Sequence, residues 1–380
     1  MPPKATNSTS ADPSTFPNMR IAINTGGGDA PGLNAVIRAV TLGALANGWE
    51  VWGIKRGYQG LLGGIPDGLV ELTRDSVRGI THLGGTILGT TNRGNPLKYP
   101  RTLEDGSVVE VDRSEELVAA FEQRGLDALV AIGGDGSLRI ASALAKHGLK
   151  VVGVPKTIDN DLASTTVTFG FHTAVQTAVE AIGRLHSTAD AHRRVMVIEV
   201  MGRDAGWIGL FAGLGGTADV VLIPEIPYDL DIVCEKIQER YDDDGHGFAI
   251  VVVSEGAQPK GGGAVYVEGA GAGRNARLGG IAQILAQQIG ERTGRETRSM
   301  VLGHIQRGGE PIAYDKVLAL RFGSAAVQLL EEEKFGCMVA LDPPDVKAVP
   351  LSEATARIKT VPLEGDVVQT ARRLGVSFGD

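Results

Sequence analysis

Short runs rich in Val and Ile, bounded by Gly or Pro, recur along the chain, with helix-period segments between several of them. The runs cover 20–24, 50–54, 127–132, 150–154, 195–201, 218–223, 248–254 and 297–302. Such runs are long enough for buried strands and too short for helices. Leu33, Val36, Ile37, Val40 and Ala44 form one helical apolar stripe, and Leu278, Ile281, Leu285 and Ile289 form another. This alternation predicts an α/β fold of largely parallel sheets, covered by helices on both faces. A chain of 380 residues, 43% apolar, buries enough for two lobes. In open α/β folds ligands sit at the carboxyl ends of strands, so the segments just after the runs carry the functional argument.

Composition narrows the classes. The formal charge of −8 makes the chain a poor non-specific nucleic-acid binder, so no nucleic-acid partner is expected and basic residues are judged locally. No apolar run approaches the roughly 18 residues of a membrane span. Cys234 and Cys337 lie far apart, with neither zinc spacing nor a disulfide framework, which predicts a cytoplasmic protein. The first 18 residues are rich in Pro, Ser and Thr, lack a signal-peptide core, and read as a disordered tail. The polar stretch 95–112 reads as a surface excursion, and 242–247 as a surface loop.

The first run enters Gly26-Gly27-Gly28-Asp29-Ala30-Pro31-Gly32. Its glycines let backbone amides approach an anion, and Pro31 suits the first turn of the next helix, whose N-terminus attracts phosphate. It is neither G-x-G-x-x-G nor a Walker loop. The third run ends in Gly133-Gly134-Asp135-Gly136-Ser137. Asp135 there is suited to Mg²⁺, although a structural turn also uses Gly and Asp. After the fourth run, Pro155-Lys156-Thr157-Ile158-Asp159-Asn160-Asp161 places two carboxylates beside a Lys and a Thr, which suits general-base chemistry next to phosphates, although the bare Asp-Asn-Asp pattern is more often a solvated loop. Arg194, Arg203, Arg298 and Arg307 fall at strand edges, and Arg suits bidentate phosphate binding.

Taken in order, GGDAPGLN, GGTILGT, GGDGS, PKTIDND, VMGRDAG, SEG and ETR…LGHIQRGG resemble the phosphofructokinase family from about residue 20 to at least 325. The resemblance implies two Rossmann-like lobes: 19–170 plus about 307–350 for the donor nucleotide, and 171–306 plus the C-terminal segment for the sugar phosphate. It implies that ATP and fructose 6-phosphate are the substrates. Gly27, Arg93, Gly94, Gly134, Asp135, Gly136, Ser137 and Lys156 would serve the donor, with Asp135 on Mg²⁺. Asp159 would be the general base for the sugar 1-hydroxyl, positioned by Thr157 and Asp161, and Arg203 would stabilise the moving phosphoryl group. Thr157, Ile158, Met201, Gly202, Glu255, His304, Ile305, Gln306 and Arg307 would line the sugar site. Arg194 and Arg298 match residues the family donates from a neighbouring subunit, which implies a homo-oligomer, a tetramer ahead of a dimer.

Two positions bear on the donor. Gly136 is the choice of ATP users, since an Asp there would crowd the α-phosphate. Lys156 is the choice of pyrophosphate users, although a Lys can bend aside or bind a phosphate. Gly136 carries more weight, so ATP is expected, with a pyrophosphate-dependent enzyme as the alternative and a non-catalytic sensor on the same fold as a remote one. Arg38 matches one arginine of the bacterial effector site, but Leu42 replaces the other.

Overall fold

The computed structural model describes residues 18–63, 65–243, 247–268 and 277–380, so the expected tail lies, apart from Asn18, outside the described residues. In chain order the elements begin with β1 (Arg20–Gly26), α1 (Leu33–Ala46), β2 (Glu50–Ile54), β3 (Leu69–Glu71), β4 (Tyr99–Thr102), β5 (Val108–Val111) and α2 (Ser114–Gln123). Next come β6 (Ala128–Gly133), α3 (Asp135–Lys146), β7 (Val151–Pro155), α4 (Phe171–His192), β8 (Val195–Val200), α5 (Trp207–Gly215), β9 (Val220–Leu222) and α6 (Leu230–Asp243). The chain continues through β10 (Ala249–Ser254), β11 (Tyr266–Glu268), β12 (Arg277–Leu278), α7 (Ile281–Thr293), β13 (Thr297–Val301) and α8 (Ala313–Glu331). It ends with β14 (Cys337–Asp342), β15 (Asp345–Pro350), α9 (Leu351–Ala354) and α10 (Asp366–Arg373).

A seven-stranded sheet runs β15-β14-β7-β6-β1-β2-β3, and a four-stranded sheet runs β13-β8-β10-β9. Within them β14, β7, β6, β1 and β2 are parallel, as are all four strands of the smaller sheet. Every residue of β6, β7, β8 and β10 is buried. That explains why these strands are almost wholly apolar, with buried Glu199 of β8 and Ser254 of β10 as the polar exceptions: both faces lie under helices. One apolar cluster continues from Ile23 and Val130 of the larger sheet, through Ala174, Ala178 and Ile182 of α4, to Ile198 and Val252 of the smaller. Helix α4 is thus a spine shared by the two sheets.

Each expected run contains a strand, but several surroundings differ from expectation. The excursion at 95–112 contains the antiparallel hairpin β4–β5, whose Val108 and Val109 stay exposed. Leu278 lies in β12, and α7 begins only at Ile281, because Gly279 and Gly280 take positive φ and break the helical stripe. Asp242 and Asp243 still belong to α6, and residues 244–246 of the expected loop lie outside the described residues. Pro31 precedes the α1 N-cap rather than entering the first turn. Gly32 occupies the cap at φ 108°, where a Cβ would come within 2.7 Å of the Phe169 ring.

Candidate active site

The segment after β7 is tied into a fixed loop. The Asp159 amide donates to Thr157 Oγ1 at 3.0 Å, and that hydroxyl lies 3.3 Å from Asp159 Oδ2, to which it donates. Thr168 Oγ1 donates to Thr157 O at 2.7 Å, and the Thr168 amide to Asn160 Oδ1 at 3.2 Å. Asn160 itself sits at φ 51°, a left-handed conformation Asn tolerates better than most residues. The result is a loop that holds both carboxylates still. Asp159 Oδ1 and Asp161 Oδ1 are enclosed, and neither has a hydrogen-bond partner among the described residues. A buried carboxylate oxygen with nothing to accept is costly unless a ligand, cation or water supplies the partner.

Burial pushes the Asp161 carboxyl up to about 7, with repulsion from Asp159 and Asp135 adding to it and Lys156 opposing. Lys156 is itself buried and donates through Nζ to Gly28 O. Burial pulls its ammonium down to about 8; Arg307 adds to the shift, while Asp159, Asp161 and Asp29 oppose it. Lys156, expected either to bend aside or to bind a phosphate, is anchored here by a backbone carbonyl of the first glycine loop.

The donor-type loops converge on the same place. Gly134 caps α3, so Asp135, Gly136 and Ser137 form its first turn, with their amides at the helix N-terminus. Ser137 Oγ fills the space that a Cβ on Gly26 or Gly133 would need, 2.7 and 2.8 Å away. That close fit is why both strand ends carry glycine. Around Gly136 the reverse holds: a Cβ there meets nothing within 4 Å. Gly27 donates to Thr91 O at 3.2 Å and accepts from Thr90 Oγ1 at 2.6 Å. Arg93 projects from the exposed end of this segment, with its amide on Thr91 Oγ1, and Gly94 is buried. Asp135 accepts from Arg139 Nε through both oxygens at 2.9 Å.

A divalent cation fits this donor set in a specific way. Among the described residues no group of three or more His, Cys, Asp or Glu side chains could hold a metal alone. Mg²⁺ characteristically takes one or two carboxylates and completes its shell with phosphate oxygens and water. Asp135 suits that mode, and Asp161, whose carboxyl the Asp135 charge helps to raise and whose Oδ1 has no hydrogen-bond partner among the described residues, offers a second carboxylate.

From the smaller sheet come the segments after β8, β10 and β13. The Arg203 amide donates to Glu255 Oε1 at 3.2 Å. The two segments pass so closely that a Cβ on Gly256 would lie 1.9 Å from Arg203 O. Met201 is buried, and Gly202 takes φ 141° with Arg203 next to it at φ 51°. Burial raises the Glu255 carboxyl to about 7, and repulsion from Asp159 adds to the shift. Arg307 reaches across to donate to Asp29 O at 3.1 Å. His304 and Ile305 are exposed beside it.

Two side chains expected to line the sugar site, those of Ile158 and Gln306, turn into the core instead. Ile158 is wholly buried in the core, so its side chain lines nothing. Gln306 is also wholly buried: its Oε1 accepts from the Met201 amide at 3.3 Å and its Nε2 donates to Gly303 O at 3.0 Å. It fastens one sugar-side loop to another. Arg194 and Arg298 share the Glu296 carboxylate, at 2.8 and 2.5 Å, and among the described residues no hydrogen bond or ion pair joins either to the Asp159 cluster. Sequence reasoning missed Lys359, whose Nζ donates to Asn160 Oδ1 at 2.8 Å.

A family model described as Phosphofructokinase matches residues 20–330, most of the chain. The chain belongs to the phosphofructokinase family. An "ATP-dependent 6-phosphofructokinase" of Chloroflexus aurantiacus is 51% identical over 361 residues, 95% of this chain and 98% of the relative. A "Pyrophosphate--fructose 6-phosphate 1-phosphotransferase" of Amycolatopsis methanolica is also 51% identical, over 91% of this chain and 97% of the relative. Among solved structures, the T-state phosphofructokinase of Pichia pastoris superposes with a TM-score of 0.77 at 30% identity, covering 97% of this chain and 37% of that one. The α/β phosphofructokinase fold is thus established, and the relatives divide between two phosphoryl donors.

Proposed function

We propose that this phosphofructokinase-family chain transfers the terminal phosphoryl group of ATP to the 1-hydroxyl of fructose 6-phosphate. The observation that supports it best is the Asp159 carboxylate, steadied by Thr157, where loops from both sheets meet. Its unpartnered Oδ1 would take the hydroxyl proton. Gly134, Gly136, Ser137 and Gly27 offer main-chain groups to the donor phosphates, and Asp135 would hold Mg²⁺, which supplies neutralisation of phosphate charge when bound. Arg203 lies on the sugar side of the cluster and would offset charge on the transferring group. Glu255, Met201, His304 and Arg307 would bind the sugar phosphate, with Arg194 and Arg298 reaching it from a second copy. The larger sheet, with 19–170 and about 307–350, is the donor lobe in this reading, and 171–306 with the C-terminal segment is the sugar lobe. A cytoplasmic homo-oligomer, tetrameric ahead of dimeric, completes it. Among the described residues, no helix is long and apolar enough to cross a membrane.

Pyrophosphate is the second reading because Lys156, the pyrophosphate users' residue, is buried against Gly28 and because a pyrophosphate-named relative shares the same 51% identity, over a slightly shorter stretch. Turnover of fructose 6-phosphate with ATP and Mg²⁺, run beside pyrophosphate and Mg²⁺, decides between them. A strong preference for pyrophosphate overturns the donor, and no turnover with either leaves a sensor. Asp159→Asn tests the base: kcat should fall about 10²–10⁴-fold with little change in sugar-phosphate binding. A near-normal kcat in that variant would remove Asp159 from the role.

A further inference from the structure

The described chain continues to residue 380, past the end of the family match at 330, and part of that extension crosses the catalytic loop. Ile358 pairs with Leu162 in an antiparallel bridge, and the Lys359 amide donates to Asp161 O at 2.8 Å. Lys359 Nζ then donates to Asn160 Oδ1 at 2.8 Å, Thr165 O at 3.0 Å and Thr166 O at 3.1 Å. An ammonium has three protons, so all of them are spent on this one loop. On its other side the Lys359 carbonyl accepts from Trp207 Nε1 at 2.8 Å, and the ammonium lies 5.5 Å from that ring's centre. Two residues on, the Val361 amide donates to Glu225 Oε1 at 2.8 Å, and the same carboxylate accepts from the Gly206 amide at 3.0 Å. The strap therefore binds the Asp159–Asp161 loop on one side and the start of α5, just behind Arg203, on the other.

We infer that Lys359 is a positioning residue, which holds Asn160 and Asp161 and through them the orientation of the Asp159 carboxylate toward the sugar hydroxyl. The inference rests on Asp159 as the base. Asn160 stands between the two carboxylates at φ 51°, and its side-chain oxygen has two donors, the Thr168 amide and Lys359. Without Lys359 the carbonyls of Thr165 and Thr166 also lose that partner. A loop freed in this way still offers every catalytic group but no longer fixes their angle, and misplacements of this kind act on the chemical step more than on substrate affinity.

The test replaces Lys359 by Met, which keeps the length of the stem and removes the ammonium. In Lys359→Met, kcat should fall on the order of 10–100-fold. KM for fructose 6-phosphate should stay within about threefold, the split expected when an interaction acts in the transition state rather than in binding. Ile237→Ala, buried on α6 in a separate cluster, controls for simple loss of stability. Its Tm should fall at least as far while kcat holds. Combining Lys359→Met with Asn160→Ala should cost less than the product of the two single losses, because both act through one loop. Three results overturn the inference: a kcat within twofold of wild type, an equal kcat loss in Ile237→Ala, or full additivity with Asn160→Ala. Asp159→Asn measured alongside separates the two claims. If it alone is inactive while Lys359→Met is normal, the base stands and the strap falls. If Asp159→Asn is active, the base assignment itself fails.

Discussion

Asp161 combines two conditions that rarely coexist without a ligand: an enclosed oxygen with no donor, and a like charge beside it. Its folded pKa of about 7 stands well above the ordinary carboxylate value near 3.9. The folded chain therefore holds more protons than the unfolded one between those values, and linkage makes stability fall as pH rises through that window. Glu255, also raised to about 7, works in the same direction. Lys156 and Lys359, both lowered to about 8, act between about 8 and 10, outside this window. In the ligand-free protein, Asp161→Asn should flatten the fall in Tm between pH 5 and pH 8 without abolishing it. Thermal melts of both proteins at the two pH values measure this, and equal slopes would mean that Asp161 is ionised at little cost. The residue is poorly suited to an empty site and well suited to one filled by a cation and phosphates, whose charge would reverse the shift.

At the scale of elements, α3 carries the donor question. Gly136 is the second residue of its first turn, where an acidic side chain favours the helix and where a Cβ meets nothing within 4 Å. Gly136→Asp should therefore fold at least as well as wild type, so any kinetic change reads on the ligand. ATP-dependent kcat/KM should drop steeply, while pyrophosphate-dependent kcat/KM falls less or rises, each tenfold being about 1.4 kcal/mol. Equal losses with both donors would show that Gly136 does not sort them. The elements behind this argument were readable in the sequence because parallel strands buried on both faces must be apolar and must turn sharply at glycines packed against a neighbour, as Gly133 is against Ser137. The hairpin β14–β15 was not readable, since four of the six residues of β15 are exposed and leave no buried apolar run in its sequence. Motifs located loops without saying which atoms face the ligand. Ile158 and Gln306 sit in the two most specific motifs and turn inward. Lys359 left no sequence signal because its partners are mostly carbonyl oxygens about 190 residues earlier, and carbonyls have no sequence identity.

At the scale of the whole molecule, the β13 edge of the smaller sheet carries exposed apolar side chains. Strand β13 forms an outer edge of the smaller sheet, and Met300 and Val301 on it are 43% and 53% exposed, with Ile305 just beyond at 58%. An apolar exposed edge invites another chain unless something covers it. Arg298 lies on that strand, and Arg194 precedes its neighbour β8. Both arginines rest on Glu296 rather than on the Asp159 cluster, and two guanidinium groups on one carboxylate leave a net positive charge beside this edge. If they bind the 6-phosphate in a second copy, removing one forfeits a charge-assisted hydrogen bond worth about 1.5–3 kcal/mol, and Arg298→Ala should chiefly raise KM for fructose 6-phosphate by roughly 10–100-fold. The decisive experiment mixes two defective subunits. Arg298→Ala keeps Asp159, and Asp159→Asn keeps Arg298. A hybrid interface that pairs the Asp159 of the first with the Arg298 of the second is an intact composite site. Refolded mixtures, with hybrids verified by two different tags, should exceed the summed activity of the parents at low fructose 6-phosphate. Activity no greater than that sum, in mixtures proven to contain hybrids, would place each sugar site within a single chain and leave the exposed β13 edge to some other contact.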